Sequence, residues 1–153
     1  MSNEFVLEEK QAQPVLSIRT RTAVDKLPQE LGKAYEAIIQ YLNELGEKPA
    51  EPVAFAAYYN TDMQDLDVEM GFPVSKPLKG KGEIKSGEIP AGKQVSCMYK
   101  GSYSKVEPVY QAMMQWISEK GYTPTGVAYE FYYNSPMDVP ESELLTKIVF
   151  PIK

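Results

Sequence analysis

The chain has 153 residues, a formal net charge of −5 and a hydrophobic content of 43%, which is enough apolar material to bury a sizeable core. Its acidic balance repels phosphate backbones and disfavours direct nucleic-acid binding. There is no histidine, which argues against a zinc site and against a Ser–His or Cys–His nucleophile. Any catalysis would have to use carboxylates, tyrosines or lysines.

The same inventory bears on location and cofactors. The N-terminus lacks the basic and apolar segments of a signal peptide, and no stretch approaches the roughly 20 apolar residues of a membrane-spanning helix. The single cysteine, Cys97, fits a reducing compartment and an inert core position. We therefore predict a cytoplasmic protein with no membrane partner, no metal and no cofactor.

The first half predicts a strand, a helix and two strands. A strand-like segment over 15–22 precedes a helical pattern that has Pro28 in its first turn and Gly46 at its end. Two segments rich in aromatic and β-branched residues follow, at 53–60 and 67–74. The helix is indicated by apolar residues that recur at intervals of three and four, namely Leu31, Tyr35, Ile38, Leu42 and Leu45.

The second half repeats that order after a Lys-, Gly- and Pro-containing connector over 75–92, in which a short extra strand is predicted around 83–89. A strand over 93–99 leads to a helix that ends at Gly121, and strands over 126–134 and 144–152 follow. The helix is indicated by Val106, Tyr110, Met113 and Ile117.

The two halves also match residue by residue. At an offset of 75 (110 − 35), Tyr35 aligns with Tyr110, and at 74 (132 − 58), Tyr58 aligns with Tyr132. We therefore predict an α+β fold made of a pseudo-two-fold duplicated β-α-β-β unit with an antiparallel sheet, with the helices on one face and a ligand cleft on the other. The whole chain, 1–153, would form one domain, with repeats at about 5–75 and 83–153.

Glu130 is a charge inside an aromatic strand. Strand alternation puts Glu130 and Tyr132 on one face, and the repeat places Ala56 and Tyr58 at the corresponding positions. One interpretation is that Glu130 is solvated or pairs with a neighbouring Lys or Tyr. The other is that it lies at the floor of an aromatic cleft, where it recognises a cation or acts as a general base whose pKa is raised by desolvation.

Other candidate residues have competing structural interpretations. Glu69 is a second charge within a strand and either contributes to a site or pairs with a surface Lys. Trp116 belongs either to the core or to the edge of a cleft. Tyr99 and Tyr103, which precede the second helix, either line the mouth of the cleft or cap that helix.

Several segments in this order resemble the GyrI-like, or AraC-type, effector-binding domain; they are 58–60, 67–74, 99–103, Trp116, 126–132 and 146–152. The resemblance covers about residues 5 to 152. It implies two β-α-β-β halves and the binding of drugs and other xenobiotics, often planar cations, with the acidic residue at Glu130. The predicted ligand-binding residues are Glu130, Tyr132, Tyr58, Ala56, Glu69, Trp116 and Phe150.

Three hypotheses follow. The first is a stand-alone binding protein for small aromatic or cationic molecules that makes no direct contact with nucleic acid. The second, implied by the resemblance, is a cofactor-free hydrolase of cyclopropane-bearing electrophiles, in which Glu130 activates water and the hydroxyl of Tyr99, Tyr103 or Tyr132 assists. The third is an interaction or inhibitor module for a protein partner.

Overall fold

The structure is a computed structural model that describes residues 4–134 and 138–153, and the chain divides into two units. Unit 1 contains Met1–Lys10 and Gly92–Lys153, and unit 2 contains Gln11–Ala91. In chain order the elements are β1 (Phe5–Lys10), β2 (Gln13–Thr22), α1 (Leu27–Leu45), β3 (Ala54–Tyr58), β4 (Leu66–Pro73), β5 (Lys85–Ile89), β6 (Gly92–Lys100), α2 (Glu107–Glu119), β7 (Ala128–Tyr132) and β8 (Leu145–Pro151).

Unit 2 is an antiparallel sheet in the order β3-β4-β2-β5 with α1 on one face. The helix buries Ile38 and Leu42 against Leu16 of β2 and Phe72 of β4. It begins with a proline in its first turn and ends at Gly46, whose φ of +70° is a conformation that favours glycine. The opposite face of β2 and β4 carries the polar residues, because side chains alternate along a strand.

Unit 1 is an antiparallel sheet in the order β1-β6-β8-β7 with α2 on one face. Met113 and Ile117 of α2 are fully buried against Cys97 of β6 and Ile148 of β8. Cys97 therefore lies in the core, as expected, and burial raises the pKa of its thiol. None of the helices formed by residues 4–134 and 138–153 is both long and apolar enough to cross a membrane.

The α+β class, both helices and the six principal strands are confirmed, with boundaries within two residues of those predicted. The extra strand expected around 83–89 is β5. The sequence did not predict β1, whose residues are mostly exposed and lack a simple alternation. Each outer strand joins the unit of the other predicted repeat, since β1 pairs with β6 and β5 pairs with β2. The single-domain boundaries stay predictions.

Candidate functional site

Glu130 lies in β7 and accepts hydrogen bonds from two tyrosine hydroxyls. Tyr110 of α2 donates to its Oε2 atom, and Tyr132 donates to its Oε1 atom at 2.9 Å. The interpretation that Glu130 pairs with a neighbouring tyrosine is thus the one that its contacts bear out. Because Tyr110 belongs to the helix, the carboxylate lies on the face of the sheet that α2 covers.

This placement corrects one expectation from the sequence, which put Glu130 on the face away from the helices. Alternation along a strand shows which residues share a face, but it does not show which face the helix covers. The register settles the point within unit 1, because Glu130 lies opposite Ile148, a core residue that packs under α2.

The environment of Glu130 disfavours its negative charge. Burial raises the pKa of its carboxyl group, and the hydrogen bonds from Tyr110 and Tyr132 oppose that shift only in part. None of the salt bridges found among residues 4–134 and 138–153 involves Glu130. The carboxylate is therefore held by neutral donors rather than by a cationic side chain.

Aromatic rings surround this carboxylate. The ring of Tyr110 meets Phe150 of β8 edge-on, with 5.4 Å between centroids. The ring of Tyr132 meets Tyr103 edge-on at 5.8 Å. Tyr103 is 41% exposed, and its pKa is raised by burial and also by the charge of Glu130, which lies nearby. We call Glu130 with Tyr103, Tyr110, Tyr132 and Phe150 the Glu130 cluster.

The hydroxyl of Tyr99 and the ring of Trp116, two predicted site residues of unit 1, make their hydrogen bond and ring contact outside the Glu130 cluster. The Tyr99 hydroxyl donates to the carbonyl of Ser102 at 2.7 Å, so it supports the turn before α2. Trp116 packs edge-on against Phe5 of β1, with 6.2 Å between centroids. Because β1 is three strands away from β7, these two strands lie roughly 14 Å apart.

The matching positions of unit 2 carry no carboxylate. Tyr35 of α1 aligns with Tyr110, and its hydroxyl donates to the carbonyl of Phe55 at 2.9 Å, while its ring meets Phe72 edge-on at 5.4 Å. Ala56, the counterpart of Glu130, is fully buried, and Tyr58 is half-buried beside it. The helix tyrosine thus keeps its place in both repeats, but only the second repeat offers it an acid.

Glu69 has a different setting, on the face of unit 2 away from α1. Its carboxylate accepts hydrogen bonds from Ser17 and from Tyr59, each at 2.5 Å. The guanidinium of Arg19 lies 3.9 Å from the centre of the Tyr59 ring. Glu69 therefore has a polar network of its own with a cation at its border.

Tyr110 was not among the site residues predicted from the sequence. The repeat could have pointed to this residue, because Tyr35 and Tyr110 occupy the same helix position. From that position in α2, the Tyr110 side chain reaches the strand that carries Glu130. A contact between helix and strand depends on tertiary packing, which sequence periodicity does not supply.

Replacing Glu130 by Gln should stabilise the protein above neutral pH. A carboxyl group whose pKa is raised by folding binds its proton more tightly in the folded state, so wild-type stability falls as pH rises from the ordinary value of 4.5 through the folded pKa. A neutral amide escapes this loss. We expect the melting temperature of Glu130→Gln to exceed that of wild type by a few degrees at pH 8, at roughly 2–4 °C per kcal/mol.

The same comparison at pH 4 should show a smaller difference, because the carboxyl group is then protonated. Glu119→Gln, which removes an exposed carboxylate from the end of α2, should change neither profile. Equal melting temperatures of wild type and Glu130→Gln at both pH values would show that burial of Glu130 costs the fold nothing.

Comparison with protein families gives one match across almost the whole chain. A family model described as the GyrI-like small molecule binding domain matches residues 3–153. No curated protein matches the sequence.

Several solved structures are similar to the chain. The C-terminal domain of EcmrR is 25% identical, with a TM-score of 0.83 over 100% of this chain and 99% of that one. EcmrR is also seen in a DNA complex, where the likeness covers 99% of this chain but 57% of that chain, with a TM-score of 0.84 and 25% identity. The chain thus spans little more than half the length of that regulator.

Two more distant structures show the shared fold alone. A hydrolase from Listeria innocua is 14% identical, with a TM-score of 0.70 over 98% of this chain and 92% of that one. The structure of SAV2435 bound to tetraphenylphosphonium is 11% identical, with a TM-score of 0.63 over 98% of this chain and 94% of that one.

Proposed function

This chain belongs to the GyrI-like small-molecule-binding family, and we propose that it binds aromatic or planar organic cations, including xenobiotics, at the Glu130 cluster. One observation carries the proposal. A desolvated carboxylate lies among aromatic rings and is held by the neutral hydroxyls of Tyr110 and Tyr132 rather than by a cationic side chain.

The energetics favour a cation over a neutral ligand of the same shape. Burial penalises the negative charge of Glu130, and a cation placed beside it would offset that penalty. Aromatic faces attract cations by about 0.5–2 kcal/mol. The Glu130 cluster contains two such rings in contact with each other, those of Tyr103 and Tyr132. A neutral ligand would gain the apolar contacts without the electrostatic attraction.

The cluster also suits a ligand that arrives from solvent. Tyr103 is exposed, whereas Phe150 is buried and packs edge-on against the ring of Tyr110. We therefore place the ligand on the Tyr103 and Tyr132 side of the carboxylate. SAV2435, which shares the fold, was solved with tetraphenylphosphonium, and that cation is a suitable first probe.

The test is a calorimetric titration of the wild-type protein at pH 8 with matched ligands. N-methylquinolinium is a planar cation, and 4-methylquinoline is a neutral molecule of nearly the same size and shape. We expect the cation to bind at least about tenfold more tightly, since a difference of 1.4 kcal/mol is tenfold in affinity. Equal affinities for the cation and the neutral molecule would contradict the proposal. So would a failure of the protein to bind any of these ligands, tetraphenylphosphonium included.

A hydrolase of strained electrophiles is the second candidate, and one observation favours it. A raised pKa makes the Glu130 carboxylate a stronger base, and the charge of Glu130 also raises the pKa of the nearby Tyr103 hydroxyl. The hydroxyl of Tyr99, the other predicted catalytic tyrosine, donates to the carbonyl of Ser102. Turnover of an activated cyclopropane that Glu130→Gln abolishes would support hydrolysis, and its absence in the wild type would refute it.

A further inference from the structure

Thr146 carries a buried hydroxyl for which the described part of the chain provides no hydrogen-bond partner. Thr146 lies in β8, and the residue is 1% exposed. Leaving such a group unpaired destabilises the folded state, and folded proteins keep few of them. A hydroxyl left in this state calls for a physical explanation.

Its neighbours in the sheet do not supply the missing bond. Thr146 lies between Tyr99 of β6 and Tyr132 of β7 in the register. The hydroxyl of Tyr99 is directed to the carbonyl of Ser102, and the hydroxyl of Tyr132 is directed to Glu130. The threonine is therefore flanked by two tyrosines whose hydroxyl groups bond elsewhere.

Thr146 also adjoins the Glu130 cluster. Glu130 lies opposite Ile148, two residues further along β8, so Thr146 is its diagonal neighbour on the same face. Diagonal neighbours across an antiparallel pair lie roughly 7–8 Å apart. One aromatic ring spans such a distance.

The other repeat carries an apolar residue at the position that matches Thr146. Tyr58 lies opposite Val68 in unit 2, as Tyr132 lies opposite Thr146 in unit 1. Valine has the shape of threonine without the hydroxyl, and Val68 is fully buried. The second repeat therefore carries polar groups at two adjoining positions, Glu130 and Thr146, where the first carries Ala56 and Val68.

We propose that Thr146 is a hydrogen-bonding subsite beside Glu130, which binds a hydroxyl or carbonyl group of an organic cation whose charged centre lies at the carboxylate. This inference rests on the proposed cation binding at Glu130. The threonine hydroxyl can both donate and accept. The site thereby selects cations that carry a polar group about one ring away from the charge, over cations that are hydrocarbon throughout.

Access to Thr146 requires the neighbouring ring of Tyr132 to shift. That ring is half-buried and is in contact with the exposed ring of Tyr103, so its outward movement breaks at least that edge-on ring contact and the hydrogen bond to Glu130. A ligand that makes new bonds to Glu130 and Thr146 offsets that cost.

The experiment compares tetraphenylphosphonium with (4-hydroxyphenyl)triphenylphosphonium, which differs by one hydroxyl placed a ring away from the charge. Calorimetric affinities are measured for wild type, Thr146→Val and Thr125→Val, the last an exposed threonine of the same unit. We expect wild type and Thr125→Val to prefer the hydroxylated cation two- to tenfold, which is the contribution of one neutral hydrogen bond. Thr146→Val should lose that preference.

The outcomes separate the two proposals. If tetraphenylphosphonium binds but Thr146→Val keeps the wild-type preference, or no preference exists, the subsite is refuted while cation binding stands. If neither cation binds the wild type, both proposals fall. The melting temperature of Thr146→Val should equal or exceed that of wild type, and a lower value with unchanged preference would show a structural role only, overturning the proposal.

Discussion

Glu130→Gln is expected to weaken the binding of organic cations roughly 30- to 150-fold while the affinity for neutral aromatic molecules stays within about twofold. Removing one member of a desolvated charge pair costs about 2–5 kcal/mol, and the lower part of that range corresponds to this loss at 1.4 kcal/mol per tenfold. The amide keeps the size of the side chain and still accepts a hydrogen bond from Tyr110 or Tyr132. The loss would therefore report on charge.

Calorimetry with N-methylquinolinium, tetraphenylphosphonium and neutral 4-methylquinoline provides the measurement. Glu119→Gln gives the matched control, because it removes the same formal charge from an exposed position of the same unit. If both variants weakened cation binding equally, the effect would come from the net charge of the protein. A parallel loss of affinity for the neutral ligand in Glu130→Gln would instead indicate that the substitution disturbs the packing of the Glu130 cluster.

The architecture was largely predictable because the chain repeats itself. The apolar spacing around Tyr35 and Tyr110 indicated the two helices, glycine marked their ends, and the strand pairs followed in the same order twice. The strand β1 was not predictable, because it pairs with a strand more than eighty residues away and shows little alternation. Long-range pairing of an exposed edge leaves no local signal.

The candidate site was predictable in its central residue and less so in its surroundings. Glu130 was identified because a carboxylate within an aromatic strand needs compensation. Its compensation by Tyr110 depends on how α2 lies on the sheet, which strand alternation does not determine. The same limit explains Trp116, which was predicted to bind the ligand but whose ring packs edge-on against Phe5.

The two repeats differ at two adjoining positions near the candidate site. Ala56 and Val68 in one unit correspond to Glu130 and Thr146 in the other, and both differences fall on adjoining positions of the helix-covered face. The first repeat buries apolar side chains there at no electrostatic cost. The second buries an acid and a hydroxyl, which reduces stability unless a ligand or a proton satisfies them.

Gly71→Ala is expected to cost the most stability of any change considered, about 2–4 kcal/mol. A Cβ atom at Gly71 would lie 2.1 Å from the backbone oxygen of Leu16 and 2.8 Å from the Cα atom of Ser17. Both atoms belong to β2, which pairs with β4 at this point. Because backbone rather than a flexible side chain meets the new atom, the paired strands must separate, and such overpacking typically costs 1–3 kcal/mol or more.

Gly87→Ala supplies the control, since Gly87 also lies in a strand paired with β2 but has its nearest neighbour, the Cγ2 atom of Val15, at 4.0 Å. There the substitution restricts the unfolded chain without a clash, so stability should change by less than about 1 kcal/mol. At roughly 2–4 °C per kcal/mol, thermal unfolding should place Gly71→Ala about 5–15 °C below wild type and Gly87→Ala within a few degrees of it. The close approach at Gly71 also sets the separation at which Ser17 on β2 reaches Glu69 on β4. If Gly71→Ala and wild type had the same melting temperature, β2 and β4 would lie farther apart than the Ser17–Glu69 hydrogen bond requires.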